Sequence, residues 1–64
     1  MKIVLPDRTT HTLPRDPVVI SDLLHRFGCK PAGVIVLKNG VLVPEDLMAE
    51  GDDEIKVIAV SHGG

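Results

Sequence analysis

Two apolar runs, Val34-Ile35-Val36-Leu37-Lys38 and Val41-Leu42-Val43, flank the dipeptide Asn39-Gly40. Asn-Gly between apolar runs is the strongest short-range hairpin signal, because the tight turn that joins two antiparallel strands needs positive φ at both central residues. The first run is apolar on both faces, so it needs cover and strand neighbours. An isolated hairpin is not stable in water, and the chain has only 64 residues with which to complete the structure. That length is one domain, in which about 60% of the surface of the unfolded chain is buried. It leaves little room for an enclosed active site.

The rest of the chain supplies what the hairpin lacks. Met1 to Leu5 alternates, with Ile3 and Leu5 on one face and Lys2 and Val4 on the other, as in a strand with one buried side. Pro6-Asp7-Arg8 has turn chemistry, and Thr9 to Leu13 resumes an extended, β-branched pattern. These segments predict a second hairpin. Pro14 and Pro17 cannot donate to a sheet ladder and end it. Ile20, Leu23, Leu24 and Phe27 then recur at helical spacing, which predicts a short helix with one apolar stripe. Asp22 lies near its start, Arg26 near its end, and Gly28 stands where a left-handed residue closes a helix. After Pro44, the segment Glu45 to Ala49 predicts one helical turn that offers Leu47 and Met48 to the core. Glu50-Gly51-Asp52 predicts a turn, and Asp53 to Val60 a last strand with Ile55, Val57 and Ala59 on one side and Lys56, Ile58 and Val60 on the other. A lone helix laid over a mixed sheet of four to five strands is a two-layer α+β domain. Its expected body is residues 1–60, followed by a tail over 61–64.

Composition narrows the function. Net charge is -2 and the only aromatic residue is one Phe, so binding nucleic acid through stacked bases or phosphate neutralisation has little support. Cys29 is the single cysteine, which rules out an internal disulfide, a multi-thiolate zinc site and a four-cysteine iron–sulfur cluster. It reads as a small, partly buried residue. His11, His25 and His62 match no metal-ligand spacing, and no nucleophile motif accompanies them, so neither a metal site nor catalysis by the chain itself is expected. No apolar run approaches membrane-spanning length and no signal core follows Met1-Lys2. The chain therefore reads as cytoplasmic.

Two features point outward. Ile35 and Leu37 on one strand, and Ile58 and Val60 on the last, lie opposite the expected core faces. If those strands are neighbours, they form an exposed apolar patch with Lys56 beside it, and such patches mark docking sites. Asp52-Asp53-Glu54 reads as a solvated acidic turn. The second feature is Ser61-His62-Gly63-Gly64. Side-chain-free residues let a peptide end bend into places that other residues cannot enter, so Gly63 and Gly64 read as a thin, clear end and Ser61 and His62 as the neck leaving the last strand.

Val34-Ile35-Val36 with Asn39-Gly40, the helix segment Ile20-Ser21-Asp22-Leu23-Leu24, and Gly51-Asp52 leading to Ile55-Lys56-Val57 and Gly63-Gly64 together resemble the ubiquitin-like sulfur carrier proteins. These include ThiS of thiamin biosynthesis, the molybdopterin-synthase small subunit MoaD, and the small archaeal ubiquitin-like modifiers. The resemblance implies a β-grasp fold. It also implies that Gly64 is adenylated by a ubiquitin-activating-type enzyme using ATP and magnesium, the chain itself binding no cofactor. The activated glycine then becomes a thiocarboxylate that donates sulfur to a small molecule or tRNA through sulfur-donor and sulfur-accepting enzymes, or is joined to the lysines of target proteins. The patch of Ile35, Leu37, Lys56, Ile58 and Val60 corresponds to the face that meets the activating enzyme. A plain β-grasp interaction module with an inert tail is the reading from a different class.

Overall fold

The computed structural model describes residues 1–60; the expected tail of Ser61, His62, Gly63 and Gly64 lies outside them. The elements in chain order are β1 (Lys2–Val4), β2 (Thr10–Thr12), β3 (Val18–Val19), α1 (Ile20–Arg26), β4 (Val34–Lys38), β5 (Val41–Val43), β6 (Met48–Ala49) and β7 (Glu54–Ala59), with a 3-10 turn at Pro31–Gly33. Five strands make one mixed sheet in the order β2-β1-β7-β4-β5, and β3 pairs with β6 in a second, two-stranded sheet. β7 lies at the centre, parallel to β1 and antiparallel to β4. One helix against a mixed five-stranded sheet is the β-grasp arrangement, as expected from the sequence.

Both expected hairpins form. At β4–β5, Asn39 and Gly40 take φ of 52° and 82°, the positive pair that the turn demands. The β1–β2 loop is tighter than its sequence suggests. Arg8 donates its N–H to the Leu5 carbonyl at 2.8 Å and Leu5 donates to Thr9 at 2.9 Å, so Pro6 and Asp7 form the corners of a turn and Arg8 follows at φ 70°. The residue after such a turn is normally glycine. A left-handed conformation costs a residue with a Cβ about 1–2 kcal/mol.

Helix α1 buries Ile20, Leu23 and Leu24, three of the four predicted stripe residues, while Phe27 is half-buried against the same core. The helix closes as Gly28 predicts. With φ at 73°, Gly28 donates to the His25 carbonyl and Cys29 to that of Leu24, the paired bonds of a Schellman cap. The helix start differs from a side-chain cap. Val19 at the cap position bonds no side chain; instead Ile20 donates to the Leu47 carbonyl at 2.9 Å and Ser21 to that of Glu45 at 2.8 Å.

That contact corrects one sequence expectation. Residues 45–49 form no helical turn: they are a turn followed by β6, which pairs with β3 through Val18↔Ala49 and Val19↔Met48. The Glu45 and Leu47 carbonyls of that turn satisfy otherwise orphaned N–H groups of α1. The pairing also reverses which apolar residue is used. Ala49 is fully buried, whereas Leu47 and Met48, expected in the core, are 38% and 45% exposed.

The core consists of Met1, Ile3, Ile20, Leu23, Leu24, Val36, Ala49, Ile55 and Val57. A small polar network joins the hairpin to the start of β7. Asn39 exchanges N–H and side-chain bonds with Glu54 at 2.9 Å each and donates its amide to Asp53 at 3.0 Å; Asp53 also accepts the Glu50 N–H at 2.9 Å. The Glu50 N–H first, then the Asn39 amide, hold the Asp53 carboxyl below its ordinary value of 3.8. The exposed Arg15–Asp52 pair at 2.6 Å adds little, since water screens it.

Leu24→Ala is expected to remove about 3 kcal/mol of stability, a large part of what so small a domain has, while Leu42→Ser at a surface position changes it by less than about 0.5 kcal/mol; urea midpoints check both. A group with a depressed native pKa stabilises the fold above its unfolded pKa and loses that effect as pH falls through the native one. The urea midpoint of the native chain should therefore fall more steeply below about pH 4 than that of Asp53→Asn, and equal slopes would remove Asp53 from the account.

Candidate functional site

Among the described residues, α1 covers one side of the sheet and leaves the other uncovered. Strand register decides what that bare face carries, because opposed residues share a face. In β4 and β7, Ile35 lies opposite Ile58 and Leu37 opposite Lys56. In β1 and β7, Val4 lies opposite Lys56 and Lys2 opposite Glu54. In β4 and β5, Leu37 lies opposite Leu42. The four strand residues of the expected patch, Ile35, Leu37, Lys56 and Ile58, are thus brought together on the face away from the helix. Val60 continues the alternation just beyond β7 and is 40% exposed.

The members are not equally presented. Ile35 is 41% exposed and Lys56 is open to water, but Leu37 and Ile58 are half-buried by their neighbours. Two residues that sequence reasoning left out extend the same face. Leu42 is 65% exposed, and the Asn39-Gly40 turn alone sets its register opposite Leu37, so that signal was available. Val4 joins through the parallel β1–β7 pairing, which no local pattern announces. The result is an aliphatic strip across β1, β7, β4 and β5 with lysine at its middle.

The end of the described chain is also placed. Val60 donates its N–H to the Gly33 carbonyl at 2.9 Å, which ties the residue after β7 to the 3-10 turn at the edge of this strip. Ser61, His62, Gly63 and Gly64 lie beyond it, outside the described residues.

No acid–base chemistry gathers on the strip. Asp53 belongs to the hairpin network at the start of β7. Asp7, likewise held below the usual carboxylate range, is so held by the Thr9 hydroxyl and then the Thr9 N–H, at 2.6 and 2.9 Å. His11 faces the helix side, with its ring centroid 5.0 Å from that of Phe27 and Nε2 at 3.1 Å from the Thr9 hydroxyl. His25 is exposed on the last turn of α1. Cys29, read as a small, partly buried residue, is half-buried and packs against the core at the helix cap. Among the described residues no three His, Cys, Asp or Glu side chains cluster as metal ligands, and no helix is long and apolar enough to cross a membrane. A groove of about 450 Å³ opens at the β5 edge, lined by Leu24, Pro31, Val36, Val43 and Glu45 among others, with Glu45 as its single ionisable group.

Residues 2–60 match the family of small archaeal modifier protein 2. The chain is also 43% identical over 44 residues to an uncharacterized protein of Archaeoglobus fulgidus; the aligned part is 69% of this chain and 64% of that protein's length.

Proposed function

The chain belongs to the small archaeal modifier protein 2 family, a ubiquitin-like family akin to the sulfur carriers, and from that premise we propose that its task is to deliver an activated C-terminal glycine. The observation that carries this reading is the aliphatic strip, which runs along β7 to Val60 and so stands beside the root of Ser61-His62-Gly63-Gly64. A partner that grips Ile35, Leu37, Lys56, Ile58 and Val60 holds the body within four residues of the Gly64 carboxylate. Burying the exposed aliphatic surface at roughly 25 cal/mol per Å² supplies the attraction, and fixing the body turns an encounter with the peptide end into a local one.

The chemistry belongs to the partner, a ubiquitin-activating-type adenylating enzyme. A carboxylate is a poor electrophile because its charge repels nucleophiles. In the partner's site a Gly64 carboxylate oxygen attacks the α-phosphorus of magnesium-bound ATP and pyrophosphate leaves. Hydrosulfide-level sulfur from a donor then adds to the carbonyl and expels AMP, leaving a thiocarboxylate for a sulfur-accepting enzyme. In this scheme the chain binds no cofactor of its own and catalyses no step.

The family description favours a second reading, conjugation to protein lysines. The same acyl-adenylate is then taken by a lysine ε-amine, which loses a proton as AMP leaves and forms an isopeptide. Both readings need the same glycine and the same docking face.

Deleting Gly64 is expected to reduce ATP–pyrophosphate exchange with such an enzyme to background while leaving the urea midpoint unchanged; exchange at the native rate would sink the proposal. Intact mass from cells separates the readings. One carboxylate oxygen replaced by sulfur marks the carrier, and Gly-Gly remnants on lysines of other proteins mark the modifier. Neither product in the presence of the enzyme would leave an inert β-grasp module.

A further inference from the structure

Beside the aliphatic strip, the β1–β2 loop and β7 enclose a cleft of about 580 Å³ lined by Val4, Pro6, Arg8, Lys56 and Ile58 among others. Its walls are cationic and its floor is aliphatic. Arg8 and Lys56 are both exposed, and neither takes part in an ion pair among the described residues, where the two pairs that form join Arg15 to Asp52 and Lys38 to Asp53. The acidic groups nearest to them in sequence are otherwise placed. Asp7 turns its carboxylate to the Thr9 N–H and hydroxyl, and Glu54, two residues before Lys56 on β7, lies opposite Lys2 and outside the lining of the cleft. On a chain of net charge -2, two unpaired cations across one cleft are a local reversal of sign.

Arg8 makes the cleft more than a chance of surface charge. It occupies the left-handed position of the loop at φ 70°, where glycine or asparagine fits without strain. Keeping a long cationic side chain at a backbone position that disfavours it points from the outlier to a use for the side chain.

We propose that this cleft receives an acidic stretch of the adenylating partner, with one carboxylate held by the Arg8 guanidinium, a second by the Lys56 ammonium, and an apolar side chain between them against Val4 and Ile58. The inference rests on the docking reading given above and adds the chemistry of the partner's surface. Arginine's planar fork suits a carboxylate in two-point contact, and lysine acts as a point charge beside it. The floor of valine, proline and isoleucine has no aromatic platform for a base, which favours a peptide over a nucleic acid. Opposed charges at the rim of an apolar contact chiefly steer association and set which partner fits.

The test uses the full chain and a purified ubiquitin-activating-type adenylating enzyme from the same cells, with affinity measured by calorimetry at about 0.05 M and about 0.5 M salt. Arg8→Glu with Lys56→Glu is expected to weaken binding about tenfold at low salt and by much less at high salt. Arg8→Asn, which removes the charge and suits the left-handed backbone, is expected to weaken binding about threefold at low salt while its urea midpoint stays at or above that of the native chain. Ile35→Asp reports on the strip itself and weakens binding at both salts. Native affinity in the double charge reversal, with Ile35→Asp impaired, overturns the cleft and leaves the docking face standing. Native affinity in both removes the docking reading and this inference with it. A loss in the double variant that is equal at both salts, with a lowered urea midpoint, marks a structural effect and also overturns the cleft. So does a short single-stranded RNA that binds the native chain and not the double variant while enzyme affinity is unchanged.

Discussion

The fold depends on β7 reaching the middle of the sheet. Until it pairs, β1 and β2 form one small hairpin, β4 and β5 form another, and no ladder connects them. β7 joins the two with a parallel ladder on one side and an antiparallel ladder on the other, and its Ile55 and Val57 complete the core beneath α1. Pairing Lys2 with Glu54 closes a loop of about 50 residues, at an entropic cost of roughly 3–4 kcal/mol beyond the constant term. The two buried side chains of β7, together with the Asn39–Asp53–Glu54 network that docks its first residues, offset that cost. Local elements here are subordinate to one long-range insertion.

The same insertion creates the proposed docking face. A central strand with a helix on one side must present its alternate residues on the other, so Lys56 and Ile58 are outward because Ile55 and Val57 are inward. Neighbouring strands obey the same parity, which lines up Val4, Ile35, Leu37 and Leu42 beside them. The strip is therefore a by-product of core formation in its position, and a matter of sequence only in its aliphatic character. The arrangement also separates roles: the helix side holds stability, the opposite side carries the proposed docking strip, and the proposed chemistry lies past Val60.

What could be read from the sequence follows how local each determinant is. Asn39-Gly40 set both the hairpin and its register, the α1 stripe and Gly28 set the helix and its closure, and the alternation in β7 sorted its faces correctly. Leu37, Ile35, Ile58 and Lys56 were placed on one surface by that reasoning, and register unites them. The misreading of residues 45–49 has a clear cause. Glu45-Asp46-Leu47-Met48 has helix-compatible residues and an adjacent apolar pair, but the backbone carbonyls of Glu45 and Leu47 are claimed by the N–H groups of α1, and β3 claims the ladder of β6. Neither demand is visible locally. Arg8 escaped for the opposite reason: Pro6-Asp7 announces a turn, yet the residue placed after it is one that the turn geometry disfavours.

The parallel pairing of β1 with β7 has a mechanical consequence. Tension drawing these two strands apart along their length loads their hydrogen bonds sideways and together, whereas peeling a hairpin breaks its bonds one after another. Such a body yields abruptly, at a force set by the whole ladder, and any machine that hauls on one of these strands meets its greatest resistance at the first step.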